Sequence, residues 1–455
     1  MEFIDKKIAV LGLGNENMAL IQYLVKHGAN DLTICDKKAS EDILEYLKTE
    51  KTIKSRFGDD YLKDLEDFEL IFRTPGLAYL APEIQEAKNK GVIISSQTKL
   101  FLDKAPAMII GVTGTKGKGT TSTLIYEMLR NSGKKVYLAG NIGNAPIEFL
   151  DNLDPSDIVI LELSSFQLQD LEKSPHISVV LNVGIDHLDV HKNGKEYIDA
   201  KMNLVSHQNK DDFACINADY ATSLKFADIT RAQTYWFSCK LVDRGVWLKN
   251  DAEIFLRLDK TDQKIIETKE IALRGRHNWE NVMAATLASA LAGANLGAIT
   301  KTVKEFRGLE HRIEPVAEIN GANFYNDSFS TTPDTAVAAI KSFHEPIILI
   351  AGGSEKNADY TLLGKEIAVS TVKVLITIGV TGPRIKKAAL DAGAKAKIID
   401  NCKDFDEAIN ASLGEMHPGD VILLSPASAS FDWFKNYKER GHQFREKILS
   451  IKSSN

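Results

Sequence analysis

Residues 111–129 read GVTGTKGKGTTSTLIYEML, which sets Gly111, Gly114, Gly117 and Gly119 around Lys116 and Lys118. The run lies between the apolar AMII (107–110) and an amphipathic segment, and so predicts a strand, a glycine-rich turn and a helix. Glycines let the backbone wrap with its N–H groups inward, the helix start adds its positive end, and Lys118 can reach phosphate oxygens. The plain alternative is a tight strand–helix turn with a solvated lysine. The spacing departs from a common phosphate loop in two places. Five residues separate Gly111 from Gly117 where four are usual, and Gly119 occupies the place of the Ser or Thr that touches Mg²⁺.

The same alternation continues on both sides. KKIAVLGLG (6–14), ENMALIQYLVKHG (16–28) and DLTICD (31–36) read as strand, helix, strand. Gly12-x-Gly14 followed by Asp36 looks like a nucleotide-binding turn with a ribose-binding acid, although Asn17 takes the place of the third glycine. Strands at PIILIAGG, VKVLITIG and DVILLSPAS, spaced by helices, form a third part. The fold class is α/β, as three consecutive αβ domains. Residues 1–103 are Rossmann-like. Residues 104–309 are expected to form a central phosphate-loop domain with a mostly parallel sheet, and residues 310–455 a second Rossmann-like domain. YWFSCKLVDRGVWLK (235–249) and IFLRLDKTDQKIIETKEIALRG (254–275) alternate with a two-residue period, which predicts a small antiparallel layer late in the central part.

Composition agrees. At roughly 150 residues per domain, 455 residues make about three, and 44% hydrophobic with 26% charged residues suits full cores. A net charge of −6 excludes the basic field that nucleic acid or an anionic membrane would call for, so phosphate must be held locally. Cys35, Cys215, Cys239 and Cys402 show no zinc or disulfide spacing and suit a reducing cytosol. No signal-peptide pattern opens the chain, and no apolar run nears the ~20 residues that span a bilayer. The expectation is a cytoplasmic monomer without membrane insertion and without a nucleic-acid partner.

Three further stretches carry chemistry. IVILELSSFQL (158–168) delivers Glu162 at the carboxyl end of a strand, where an acid can hold Mg²⁺; a surface glutamate is the bland reading. SVVLNVGIDHLDVH (178–191) holds Asp186, His187, Asp189 and His191. His187 and His191 at i, i+4 spacing make zinc conceivable, but no general-base glutamate stands between them, and one Mg²⁺ ligand or a solvated histidine is favoured for His187. Lys201 in EYIDAKMNLV (196–205) reads alone as a charged surface residue, with Tyr197 on the same helix face.

Taken together, GVTGTKGKGTT, LELSSFQL, NVGIDHLDVH, YIDAKMNLV, GRHNWENVMAA, GLEHRIEPV, YNDSFSTTP, AGGSEK and LSPASASFDWFKNYKERG resemble, in this order, the Mur ligases, the ATP-dependent amide-forming enzymes of peptidoglycan precursor synthesis. ELSSFQL and SPASASFDWFKNYKERG are similar to the D-glutamate-adding (MurD) branch. The resemblance covers essentially the whole chain, including TPG (74–76) and GNIG (140–143). It implies ATP, Mg²⁺ (two ions), UDP-N-acetylmuramoyl-L-alanine and D-glutamate as ligands, and an acyl phosphate shielded from water by closure of the last domain. Lys118, Glu162, His187 and Lys201 would be catalytic, with Thr120, Glu162, His187 and a carbamylated Lys201 at the metal. The ATP site would comprise Gly114, Thr115, Lys116, Gly117, Lys118, Gly119 and Thr120, with Asn278 and Asn281 near adenine and Arg312 and Asp327 facing phosphate and ribose. Gly14, Asn15, Asp36, Thr74, Pro75 and Gly76 would meet the UDP moiety, and Asn141 the muramoyl part. Thr331, Lys356, Ser430, Phe431 and Tyr437 would surround D-glutamate.

Two residues depart from that family's pattern. Gly119 replaces the usual hydroxyl, which Thr120 or Thr121 would have to supply, and Phe329 stands in NDSFST where many relatives have Lys. Two other readings stay open: a superfamily ligase for another amino acid, including the folylpolyglutamate type, and a non-catalytic nucleotide-binding paralogue.

Overall fold

The computed structural model describes residues 3–39, 41–50, 52–184, 191–355, 357–400 and 402–454. The first sheet is wholly parallel, in the order β3-β2-β1-β4-β5. Its strands are β1 (Lys7–Leu11), β2 (Asp31–Asp36), β3 (Lys54–Phe57), β4 (Leu70–Arg73) and β5 (Ile93–Ser95). They are joined or flanked by α1 (Asn15–Lys26), α2 (Glu41–Thr49), α3 (Pro82–Asn89) and α4 (Gln97–Lys104). Winding reverses between β1 and β4, which opens a crevice at their carboxyl ends.

The second sheet runs β14-β13-β12-β11-β10-β9-β6-β8-β7. It is built from β6 (Met108–Thr113), β7 (Val136–Gly140), β8 (Ile158–Glu162), β9 (Ile177–Val180), β10 (Phe213–Asn217), β11 (Gln233–Ser238), β12 (Gly245–Lys249), β13 (Glu253–Arg257) and β14 (Gln263–Glu267). Helices α5 (Lys118–Asn131), α6 (Ser165–Leu168), α7 (Gly194–Ser206), α8 (Ala221–Leu224), α9 (His277–Leu291) and α10 (Leu296–Glu305) accompany it. The antiparallel strands are β12–β14, and they extend the edge of the parallel sheet. β11 departs from the two-residue-period reading, because it pairs parallel with β12, Trp236 opposite Gly245. Alternation reports which face a side chain takes, not strand direction. The connection 239–244 doubles back, held where it begins by the Asp219 carboxylate on Ser238 Oγ (2.6 Å) and the Cys239 N–H (2.7 Å).

The third sheet, β15-β16-β20-β17-β18-β19, has one antiparallel pair at its edge. Its strands are β15 (Glu314–Ile319), β16 (Ala322–Asn326), β17 (Ile347–Gly352), β18 (Val372–Ile378), β19 (Lys397–Ile399) and β20 (Val421–Leu424). Its helices are α11 (Pro333–Ile340), α12 (Thr361–Val369), α13 (Gly382–Asp391), α14 (Phe405–Glu415) and α15 (Tyr437–Ser454). Successive β17 side chains serve opposite faces. Leu349 joins Leu363, Leu375 and Ile385 on one side, while Ile348 and Ile350 join Ile376, Ile422 and Phe444 on the other.

The chain divides into two compact units, residues 1–270 with 279–304, and residues 271–278 with 305–455. The first unit holds the first two sheets, whose helices share one apolar core: Leu20 and Leu24 of α1, Leu100 and Phe101 of α4, and Ile147, Val159 and Leu161. Among the described residues no helix is long and apolar enough to cross a membrane.

Candidate active site

The phosphate loop forms as its glycines require. β6 ends at Thr113, and α5 starts at Lys118 behind Gly117, whose φ of 87° is left-handed and where a Cβ would collide with Asn281 Oδ1. Lys118 Nζ donates to Gly114 O (3.1 Å) and Thr115 O (3.2 Å), folded onto carbonyls of its own loop. Thr115 Oγ1 lies 3.2 Å from Tyr197 Oη and accepts the Gly184 N–H at 2.9 Å. Lys116 is exposed, and its N–H donates to Asn182 Oδ1. Gly119 is buried. Of the two threonines that could replace its missing hydroxyl, Thr121 is committed, donating to Asn281 Oδ1 at 3.3 Å. Thr120 is half-buried, and its hydroxyl makes no hydrogen bond among the described residues.

Glu162 ends β8, next to the phosphate-loop strand and opposite Val112. It is 3% exposed, and Asn141 Nδ2 donates to its Oε1 at 3.2 Å. Lys201, read alone as a surface residue, is 1% exposed. Its Nζ donates to Gly114 O (3.1 Å) and Thr113 Oγ1 (3.3 Å) and sits 4.8 Å from the Tyr197 ring centroid, the neighbour one turn back. Lys118 and Lys201 thus converge on one carbonyl, that of Gly114. His187 falls in 185–190, outside the described residues. His191 is buried, with Nδ1 2.5 Å from Glu196 Oε2 and Nε2 2.8 Å from Ser165 Oγ. Both its ring nitrogens are engaged, which removes it as a zinc partner for His187. The donors at the loop are hard oxygens, the Glu162 carboxylate and the Thr120 hydroxyl, a set that suits Mg²⁺.

The first sheet presents its own loops at the β1/β4 crevice. Asp36 accepts the Leu13 N–H (2.6 Å) and the Lys38 N–H (3.1 Å), so its carboxylate braces the glycine turn from below. Asn17 stands in for the third glycine by closing the turn with its side chain, donating from Nδ2 to Leu11 O (3.1 Å) and Gly12 O (2.7 Å). A Cβ on Gly12 would collide with Thr74, so this turn and the TPG turn touch. Thr74 and Pro75 are half-buried and Gly76 is exposed. Gly14 caps α1, and the side chain of Asn15 lies outside the described set. Glu16 accepts from Gln167 Nε2 (2.8 Å); burial raises its pKa, opposed by that bond and by Arg73.

In the second unit Arg312 stacks 3.7 Å over the centroid of Phe329. The residues on either side, His311 (φ 64°) and Ile313 (φ 47°), hold left-handed conformations that cost a β-branched residue most. The Ile313 N–H is secured by Asp327 Oδ1 (3.1 Å), and Ser425 Oγ donates to Asp327 Oδ2 (2.7 Å). Burial nevertheless pushes Asp327 up to about 7, with those bonds and Arg312 opposing. Ser430 is buried, Thr331 is half-buried, and Phe431 is 66% exposed with its N–H on Ser354 Oγ (2.9 Å). Tyr437 opens α15 edge-on to Phe329. Lys356 lies outside the described residues. The two asparagines expected near adenine take different posts: Asn281 packs on the phosphate loop, whereas Asn278 Nδ2 donates to Arg274 O (2.6 Å).

Sequence reasoning missed Arg440. It is 1% exposed and gathers two loops, donating to Ser328 Oγ and O (both 2.9 Å), to Ser428 O (3.2 Å) and to Ala429 O (3.3 Å). Burial lowers its pKa to about 10. Its only sequence signal was membership of the quoted KERG, since its partners lie far away in the chain.

Comparison with known proteins follows the three sheets. Residues 6–96 match the MurD-like N-terminal domain of Mur ligases, 112–289 the Mur ligase middle domain, and 311–428 the Mur ligase glutamate ligase domain. The chain is 42% identical to the UDP-N-acetylmuramoylalanine--D-glutamate ligase of Acetivibrio thermocellus, over 99% of this chain and 97% of that one. It is also 42% identical to the ligase of that name from Symbiobacterium thermophilum, over 98% and 99% of the two chains. Among solved structures, the MurF ligase of Thermotoga maritima, in complex with ADP, shares the fold with a TM-score of 0.58 at 15% identity, over 99% and 96% of the two chains.

Proposed function

The chain belongs to the Mur ligase family, as an ATP-dependent ligase of peptidoglycan precursor synthesis, and from that premise we infer how its residues join D-glutamate to UDP-N-acetylmuramoyl-L-alanine. The observation that carries the reading is the convergence of Lys118 and Lys201 on Gly114 O, beside Glu162 at the mouth of the phosphate loop. A phosphate loop with a lysine at the start of its helix and a carboxylate on the neighbouring strand is the arrangement that holds a nucleotide triphosphate together with Mg²⁺.

The L-alanyl carboxylate attacks the γ-phosphorus of ATP, ADP leaves, and an acyl phosphate forms. The amine of D-glutamate then attacks the acyl carbon, and the tetrahedral adduct expels phosphate. Lys118 leaves its loop carbonyls to neutralise the transferring phosphoryl group, and the backbone N–H groups of Gly114–Thr120 cradle the rest of the triphosphate. Glu162, Thr120 and His187 would hold Mg²⁺, two ions in all, which supplies charge neutralisation between two anions that must meet. Lys201 would act as a carbamate, formed when its neutral amine adds carbon dioxide and loses a proton: a −1 group in place of a +1 group, which would supply an oxygen ligand for the metal.

Asn281, Asn278, Arg312 and Asp327 complete the ATP side. Gly14, Asn15, Asp36, Thr74, Pro75 and Gly76 take the UDP moiety and Asn141 the muramoyl part, whereas Thr331, Lys356, Ser430, Phe431 and Tyr437 take D-glutamate. Domains at 1–103, 104–309 and 310–455 divide these duties, in a monomer working in the cytoplasm. The test is product mass after incubation with UDP-N-acetylmuramoyl-L-alanine, ATP and a panel of amino acids. A single adduct with D-glutamate supports the reading. Preferred addition of another amino acid, or ATP turnover without any adduct, rejects it.

A further inference from the structure

Arg73 is the last residue of β4, opposite Leu11, the last residue of β1, at the point where the first sheet reverses its winding. Ligands of such sheets bind outside the carboxyl ends of these strands. The Arg73 side chain is fully buried, and it is divided between two parts of the first unit. Nη1 donates to its own turn, at Leu77 O (2.8 Å) and Thr74 O (3.3 Å). Nη2 donates across to α6, at Phe166 O (3.0 Å), and lies 3.3 Å from Asp170 Oδ2. The Tyr79 ring covers the guanidinium at 5.5 Å.

The pair is poorly optimised as a stabilising bridge. Among the described residues Arg73 Nε and both Asp170 oxygens make no hydrogen bond, and a buried ion pair so served contributes little to stability on its own. What the guanidinium does achieve is geometric, because its planar fork reaches two backbone segments at once. One is the turn Thr74–Leu77 beside Gly12; the other is α6, which follows Glu162 of β8 within a few residues. Phe166 is also stacked on His191, so α6 is itself firmly placed.

We propose that Arg73 is a positioning residue for the UDP-sugar substrate, holding the Thr74–Leu77 turn in register with α6 so that the grip on the nucleotide end and the delivery of the acyl end are set together. The proposal rests on the functional reading above. Its readout is a split among substrates that loss of fold would not produce. In Arg73→Met the KM for UDP-N-acetylmuramoyl-L-alanine should rise about tenfold, its calorimetric Kd should rise in parallel, and the KM values for ATP and D-glutamate should stay within about twofold. Arg73→Lys should not restore the wild-type value, since one ammonium cannot serve both segments. Asp170→Asn keeps the volume, loosens the anchor and should raise the same KM about threefold; it decides the matter if Arg73→Met does not fold. KM values that move together or not at all in the folded variants overturn the positioning role. A wild-type enzyme that makes no D-glutamyl product would instead sink the functional reading, so the two failures are distinguishable.

Discussion

At the residue scale, Lys201 shows how far a side chain can stand from its local appearance. Its helix turn reads as solvent-facing, yet the amino group is buried against Gly114 O and Thr113 Oγ1. Lys201→Ala and the volume-keeping Lys201→Met should both lose at least about a hundredfold in kcat, roughly 3 kcal/mol of transition-state stabilisation. Formate at high concentration should partly restore the alanine variant, where a cavity remains, and not the methionine variant. Wild-type turnover in Lys201→Met would make the residue a packing element only. Asp327 yields a pH prediction. Its folded pKa, about 7, lies above the ordinary 3.8, so its contribution to stability is full below about 4 and is lost as pH rises through 7. The ionised form is the acceptor that a ribose hydroxyl needs. Activity at limiting ATP should therefore climb through pH 7, and Asp327→Asn should flatten that limb while resisting unfolding better than the wild type at pH 8. An unchanged limb in the variant would assign it to another group. Such facts escape a linear reading for a plain reason: Arg440 reaches Ser328 over 112 positions and Arg73 reaches Phe166 over 93. The left-handed backbone at His311, Ile313 and Ala427 carries no glycine to announce it.

At the element scale, what was legible was what is local. The glycines of 111–119 force a turn, the apolar runs before and after them force strand and helix, and β6, the loop and α5 form where the sequence places them. Strand direction was not legible at β11, because burial alternates identically in parallel and antiparallel ladders. The first turn of α5 carries its own prediction. Gly119 contributes no hydroxyl and Thr121 spends its own on Asn281, which makes Thr120 the hydroxyl proposed to hold the metal. Thr120→Val should raise the Mg²⁺ concentration for half-maximal activity about tenfold, while Thr123→Val, deeper in the helix, should shift it less than about twofold. Equal small shifts would mean that the metal is held without any loop hydroxyl.

At the scale of the whole molecule, the chain carries 56 basic and 62 acidic side chains, and so no field that draws anionic substrates from a distance. Capture must come from the loops of single elements, whose reach is short. Between ~50 and ~200 mM salt, kcat/KM for the UDP-sugar should therefore fall by less than about threefold, unlike a ligand steered by a basic surface. A steep fall would reveal a charged funnel that the net charge conceals. The continuous core of the first unit has a consequence for recombination. Glu16 with Gln167, and Arg73 with Asp170, are pairs in which one member belongs to the first sheet's part of the chain and the other to the second's. They act as a compatibility lock: a hybrid gene that takes the codons for residues 1–103 from one relative and the remainder from another inherits half of each pair. Such hybrids should succeed or fail according to whether positions 16, 73, 167 and 170 travel together, whatever the overall identity of the parents.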